Sequence, residues 1–172
     1  MNRLFVFLLV LGLFAAGCGY HISGRGDLMP KTIKTVAVQP FGNSTPKYKL
    51  ARLIPADIGR ELISRAKYQL VDDPAAADAV LSGSLVNFVA YSTIIDAKTS
   101  RATAAQVIAV INVTLTERAT GKVLFTRSGY EFRQRYEISL DPAAYFDESG
   151  TAIERVSKDI GRSVVSAILE GF

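Results

Sequence analysis

Cysteine and histidine each occur once in the 172 residues, and tryptophan does not occur at all. One thiol makes no internal disulfide, so an exported fold of this chain must be held by its core alone. One cysteine and one histidine do not make a zinc cluster. His21 stands three residues after Cys18, at the end of what reads as a membrane leader, where no substrate pocket closes around a catalytic base. Gly24-Arg25-Gly26 precedes a strand and opens no helix, which removes a dinucleotide fingerprint. Asp72, Asp73 and Asp78 flank Pro74 without the spacing of a calcium loop, so they read as a solvated turn. After residue 17 no apolar run is long enough to span a bilayer, and no internal repeat is visible. The net charge of +4 is too mild for a nucleic-acid partner, which calls for a clustered basic face. No catalytic residues and no metal are therefore expected, and binding or assembly remains.

What the chain does have begins at its N-terminus. Arg3 precedes a charge-free run from Leu4 to Ala16, closed by the small residues Ala15, Ala16 and Gly17. That is the layout of a signal peptide over residues 1–17, and the run falls short of the roughly 20 residues that span a bilayer as a helix. Cys18 then becomes the first residue of the mature chain. "AAGC" resembles the bacterial lipobox, with Ala15 where leucine is usual, and Gly19 after the cysteine resembles the outer-membrane sorting pattern. Several acyl chains on Cys18, palmitate among them, each contributing about 0.8 kcal/mol per buried methylene, make a durable anchor. The lone thiol reads as a lipidation site, and this covalent lipid is the only non-protein group expected. Residues 18–32, with Gly19, Gly24, Gly26 and Pro30, read as a lipidated tether.

Residues 33–172 suit a single domain. The stretch Ile33–Phe41 predicts a buried strand, and "GNSTPKY" a turn in which the sequon Asn43-Ser44-Thr45 has no glycosylation role. Leu50, Leu53, Ile54, Ile58, Leu62 and Ile63 recur at three and four and predict a helix, its regular part beginning near Ile54 because Pro55 belongs in a first turn. "YQLV" at 68–71 suggests a short strand. Residues 79–91, 106–116 and 122–132 predict three strands; in the middle one Val107, Ala109, Ile111, Val113 and Leu115 share a face opposite Asn112, Thr114 and Thr116. "ATGK" at 119–122 is a tight hairpin connection. Residues 151–170 predict a second helix with Ile153, Val156, Ile160, Val164, Ala167 and Ile168 on one stripe. The fold class is α+β: a two-layer sandwich of a mixed four-stranded, or five-stranded, sheet with two helices on one face. The first strand returns through a right-handed crossover and lies parallel to a neighbour, and the other three form a meander.

Two basic pairs mark a candidate binding end. Lys98 and Arg101 lie in the long polar link from Ile94 to Ala105. Arg133 and Arg135 share one face of the extended "FRQRYEI". Beside apolar residues, such cations suit an anionic amphiphile, with Arg bidentate to phosphate and Lys a point charge. The alternative is a solvated strand edge, where Lys and Arg discourage edge-to-edge pairing.

"CGYH" at 18–21, Gly24, "LMPKTIKTVAVQPFGNST" at 28–45, the amphipathic helix, "YQLV", "ADAVLSGSL" at 77–85 and "TGKVLF" at 120–125 together resemble the lipopolysaccharide-assembly lipoprotein family LptE. The resemblance implies an outer-membrane lipoprotein facing the periplasm, which plugs the barrel of LptD and supports insertion of lipopolysaccharide into the outer leaflet. It also implies lipopolysaccharide binding by basic residues near one end of the sheet, the region of Lys98 and Arg101. The alternative is an envelope lipoprotein that forms part of a secretion pore or activates a cell-wall synthase, since "VAVQPFGNST" followed by a helix and "YQLV" also looks like those. The immediate "CGYH" junction speaks against it, because such proteins more often carry a longer tether.

Overall fold

The computed structural model describes residues 29–66, 68–97, 100, 102–137 and 142–170. Six strands and two long helices follow in the order β1 (Thr35–Val38), β2 (Gly42–Asn43), α1 (Tyr48–Glu61), β3 (Gln69–Leu70), β4 (Ala79–Ile95), β5 (Ala102–Glu117), β6 (Val123–Glu137) and α2 (Pro142–Glu170). The sheet runs β3-β1-β4-β5-β6, and β2 pairs with β4. β1 is parallel to both β3 and β4, β2 is parallel to β4, and β4, β5 and β6 form an antiparallel meander. The sheet is mixed, as expected, but it has six strands where four or five were predicted. The strand suggested at "YQLV" is β3, and the one not expected is β2, two residues long and too short to show a period of two.

The helical stripes pack on the apolar side of the sheet. Leu50, Ile54, Ile58 and Leu62 from α1 and its last turn meet Val156, Ile160, Val164 and Ile168 from α2 over Val36, Leu81, Leu85, Ile111 and Leu115. Met29 and Ile33 join the same core. Contrary to the sequence pattern, α1 does not wait for Pro55: it begins at Tyr48 and carries the proline inside. An interior proline costs about 3 kcal/mol. Burial of Leu50, Ala51 and Ile54 on its N-terminal side offsets that cost, at roughly 1.5–3 kcal/mol per large side chain. A π-helical turn over Leu62–Ala66 ends the helix, and Ile63, expected on the stripe, is 53% exposed. The second helix likewise starts earlier than expected, at Pro142, a residue suited to the first helical position.

Between the helices the fit is close. A Cβ on Gly161 would stand 3.0 Å from the carbonyl carbon of Asp57 and 3.1 Å from the Ile58 nitrogen, so a larger residue there would push the α1 backbone back. Beside it the buried carboxylate of Asp57 accepts hydrogen bonds from the Ser157 hydroxyl on α2 and from Arg60 one turn along α1. This polar clasp in an otherwise apolar seam fixes the axial position of one helix on the other.

Asp78 holds the start of the sheet together. Its Oδ2 accepts from the backbone N–H groups of Lys34 and Thr35, both at 2.9 Å, and its own N–H donates to Thr35 Oγ1 at 2.9 Å. Arg118 donates from its backbone to the Asp78 carbonyl at 2.8 Å and from Nε to the Ala77 carbonyl at 2.6 Å. Asp73 caps the short 3-10 turn Pro74–Ala76 by accepting from the Ala75 N–H at 2.8 Å. The aspartates at 72–78 thus belong to a turn, and no group of three or more metal-ligating residues occurs among the described residues.

The meander strands are far longer than β1. At about 3.3 Å per residue, the 17 residues of β4 reach roughly 55 Å, so the distal half of the meander projects past β1, β2 and β3. Two bulges mark the change. Val86 is the extra residue where the β4–β5 register shifts between Leu85 and Asn87. Next to it the β5–β6 register shifts between Ile111 and Val113, where Gly129 has a φ of +65° and donates its N–H to Asn112 Oδ1 at 2.8 Å. Bulges bend a strand and sharpen its twist. Both sit at the level of Ile111, where pairing with the short strands ends.

Two outcomes follow for urea unfolding of the purified protein. Ser157→Ala leaves Asp57 one donor short and should cost about 1–3 kcal/mol, and Gly161→Val should cost a similar ~1–3 kcal/mol by forcing the helices apart; wild-type stability in both would remove the clasp from the fold. The backbone donors of Lys34 and Thr35 hold the Asp78 carboxyl below the usual carboxylate range. Because the folded pKa is depressed, the ionised form stabilises the fold above the unfolded pKa of about 3.9, and that contribution is lost as pH falls through the lower folded value. Asp78→Asn should therefore be destabilised at pH 7, with the gap to wild type closing below about pH 4; a gap independent of pH would contradict this role.

Candidate functional site

In antiparallel strands, residues directly opposite each other share a face. On β5 the helix-facing set is Val107, Ala109, Ile111, Val113 and Leu115, all buried, as the alternation predicts. Their β4 partners are Ala90, Phe88, Leu85, Gly83 and Leu81, and their β6 partners Gln134, Phe132, Tyr130, Arg127 and Phe125. The other face, away from the helices, is open. On its distal half one row runs Val89–Ile108–Arg133 across the three strands, and the next runs Tyr91–Gln106–Arg135.

Arg133 and Arg135 therefore do share a face, and that face also carries exposed apolar groups. Val89 is 42% and Tyr91 47% exposed, with Ile108 and Val110 half-buried between the strands. The Arg133 guanidinium pairs with the Glu131 carboxylate two residues back on the same face. That hydrogen bond, with the attraction of the same carboxylate, pushes the Arg133 pKa further up, so its charge persists at any working pH. β6 is also the last strand of the sheet, so the edge-protecting reading of its arginines is met by the same geometry.

β4 runs to Ile95 and β5 resumes at Ala102, so the link between them is shorter than the 94–105 segment expected. Ser100, at φ 55°, donates its N–H to the Asp96 carbonyl at 2.8 Å within it. Lys98 and Arg101 lie outside the described residues, as do Cys18 and His21. Sequence reasoning missed Val89, Tyr91 and Glu131. The register through the Val86 bulge was needed to set the first two beside Arg133. Glu131, at two residues' distance along a strand, was visible as an i, i+2 pair.

On the helix face, Tyr130 and Phe132 stack with ring centroids 4.4 Å apart, and the Arg127 guanidinium lies 5.1 Å from the Tyr130 centroid. A separate crevice of about 520 Å³ opens at the carboxyl ends of β1 and β3 under α1, between Phe41, Pro55 and Leu70. Asn43 lines it. Its Oδ1 accepts from the Thr45 backbone and hydroxyl, both at 2.9 Å, in the turn that leads to α1, and its buried Nδ2 has no partner among the described residues.

A family model of lipopolysaccharide-assembly proteins, LptE, matches residues 33–168, most of the chain, with all of the sheet and all but the last two residues of its helical cover. The chain belongs to the lipopolysaccharide-assembly family LptE. Membership places it in lipopolysaccharide assembly in the cell envelope, within a non-enzymatic lipoprotein family. No curated protein matches the sequence. Among solved structures, a PelC dodecamer from Paraburkholderia phytofirmans is similar at a TM-score of 0.53 and 14% identity, over 84% of this chain and 92% of that one. A putative lipoprotein from Caulobacter crescentus CB15 is similar at 0.51 and 15% identity, over 80% and 87%. At such identities these likenesses show a shared fold alone. The family assignment rests on the LptE match over residues 33–168.

Proposed function

We propose that this LptE protein is an outer-membrane lipoprotein, lipidated at Cys18 and facing the periplasm, that seats in the barrel of LptD and binds lipopolysaccharide through the open face of its distal meander. The supporting observation is the pair of rows that set Arg133 beside Val89 and Ile108, and Arg135 beside Tyr91 and Gln106. Lipopolysaccharide combines phosphate groups with acyl chains. Guanidinium groups grip phosphate in a fork, while neighbouring apolar surface removes hydrocarbon from water at about 25 cal/mol per Å². Lys98 and Arg101, in the link that closes the same hairpin, extend the basic set in the sequence.

A barrel wide enough for a lipid has a water-filled lumen, and a narrow sheet with helices on one face is a shape that fills part of it. A lipid anchor on Cys18 keeps the protein on the membrane that holds the barrel, so modest individual contacts suffice at high effective concentration. No step in this role needs a reacting group.

Arg133→Glu with Arg135→Glu, and separately Lys98→Glu with Arg101→Glu, should each weaken lipopolysaccharide binding by about tenfold while leaving thermal unfolding unchanged, the scale of losing two exposed phosphate contacts. Unchanged binding in both would leave these cations as edge protection only. Cys18→Ala should move the protein from the membrane to the soluble periplasmic fraction, and the wild type solubilised in detergent should co-purify with a barrel identified by mass as LptD. Wild-type membrane retention of the variant would overturn the anchor, and a wild type that purifies without a barrel would overturn the plug.

A further inference from the structure

On the open face of β6 the charges stand in a line. Glu131, Arg133 and Arg135 occupy successive rows, opposite Val110, Ile108 and Gln106 of β5. Rows two residues apart on a strand are separated by roughly 7 Å. Both arginines are exposed, yet their electrostatic settings differ. The ion pairs among the described residues are Lys49–Glu154, Arg60–Asp57, Arg133–Glu131 and Arg162–Asp159, so Arg133 has a carboxylate and Arg135 has none. Four residues separate Glu131 from Arg135, about 13 Å along the strand. That exceeds the ~8 Å over which exposed charges act on each other at physiological salt, so Glu131 addresses Arg133 alone.

The pair at Arg133 is open to water, its guanidinium side chain 64% and its carboxylate side chain 39% exposed. Burial does not hold it closed, and exposed pairs of this kind bias an equilibrium by up to about fivefold. Such a bias keeps the guanidinium occupied most of the time and still lets a stronger anion take the place of Glu131. A phosphate monoester is that stronger anion: it carries nearly two charges on three acceptor oxygens, against one charge on two for a carboxylate. The carboxylate also holds the Arg133 pKa up, so the occupied group stays a cation fit for phosphate.

We propose that Glu131 is a built-in competitor for the phosphate at Arg133: it occupies the guanidinium when the face is empty, gives way to a lipopolysaccharide phosphate, and takes the guanidinium back as the phosphate leaves. This role rests on the reading that the open face binds lipopolysaccharide. Arg135, with no carboxylate beside it, makes the firmer contact, and Arg133 the adjustable one. Arg133 is paired in both the empty and the occupied state, so departure of the ligand strands no cation. Once displaced, the Glu131 carboxylate stands near the bound phosphate and repels it, which hastens that departure. A chain that takes part in assembling an amphiphile elsewhere has to release what it binds.

The test measures lipopolysaccharide binding by the mature lipidated chain in non-ionic detergent. Glu131→Gln should bind about two- to fivefold tighter, the gain lying in a slower off-rate, with thermal unfolding unchanged because the pair is exposed. Arg135→Gln should weaken binding more than Arg133→Gln does. Adding Glu131→Gln to Arg133→Gln should give no gain, whereas adding it to Arg135→Gln should give the same gain as in the wild type. Lipopolysaccharide stripped of its phosphate groups should bind Glu131→Gln and wild type alike. Unchanged affinity of Glu131→Gln while both arginine variants bind more weakly overturns the competitor and leaves the binding face standing. An equal gain in the Arg133→Gln background, or with the dephosphorylated ligand, overturns it too, by reducing Glu131 to a general negative charge. If neither arginine variant weakens binding, the reading of the face itself falls, and the competitor with it.

Discussion

The approach of α2 to α1 at Gly161 governs the shape of the molecule. With no side chain at that point, the two helices lie as one tight layer, and the hydrogen bond from Ser157 to Asp57 sets where one stops along the other. Their joint apolar surface is matched to the proximal half of the sheet, where Leu81, Leu85, Ile111 and Leu115 are buried to the last few ångströms of surface. A looser helix pair would spread over more of the sheet, and the meander would lose its open distal face.

The sheet changes character at the same level. Below Ile111, β1 and β2 flank β4; above it no other described strand joins the three, and bulges at Val86 and Gly129 mark the transition. The helix face above the bulges is finished by aromatic groups such as Tyr130 and Phe132, whereas the opposite face mixes aliphatic, phenolic and guanidinium groups. An amphiphile is suited to that mixture in a way a purely polar or purely apolar molecule is not. The chain's membership of the lipopolysaccharide-assembly family is consistent with such a surface.

Much of this was legible in the amino-acid order. The alternation from Val107 to Leu115 predicted the buried face of β5, the spacing from Val156 to Ile168 predicted the stripe of α2, and "TGK" predicted the hairpin in which Gly121 donates to the Glu117 carbonyl at 2.9 Å. β2 was hidden because two residues define no period, inside a stretch that reads as a turn. The start of α1 was hidden because Pro55 argues locally for a later beginning, and only the burial of Leu50, Ala51 and Ile54 by distant segments overrides it. Of the candidate site, the shared face of Arg133 and Arg135 followed from their spacing. Their neighbours did not, since adjacency across strands is a property of register, and register here passes through two bulges.

The additional residue at Val86 reverses the phase of β4. Before it the inward positions are odd-numbered, as at Leu81 and Leu85; after it, as far as Ser92, they are even-numbered, as at Phe88 and Ala90. Deleting that one residue would exchange the inner and outer sets of the whole upper strand while leaving its composition untouched. One backbone residue at the bulge thus decides which side chains of the strand above it are offered to the outside.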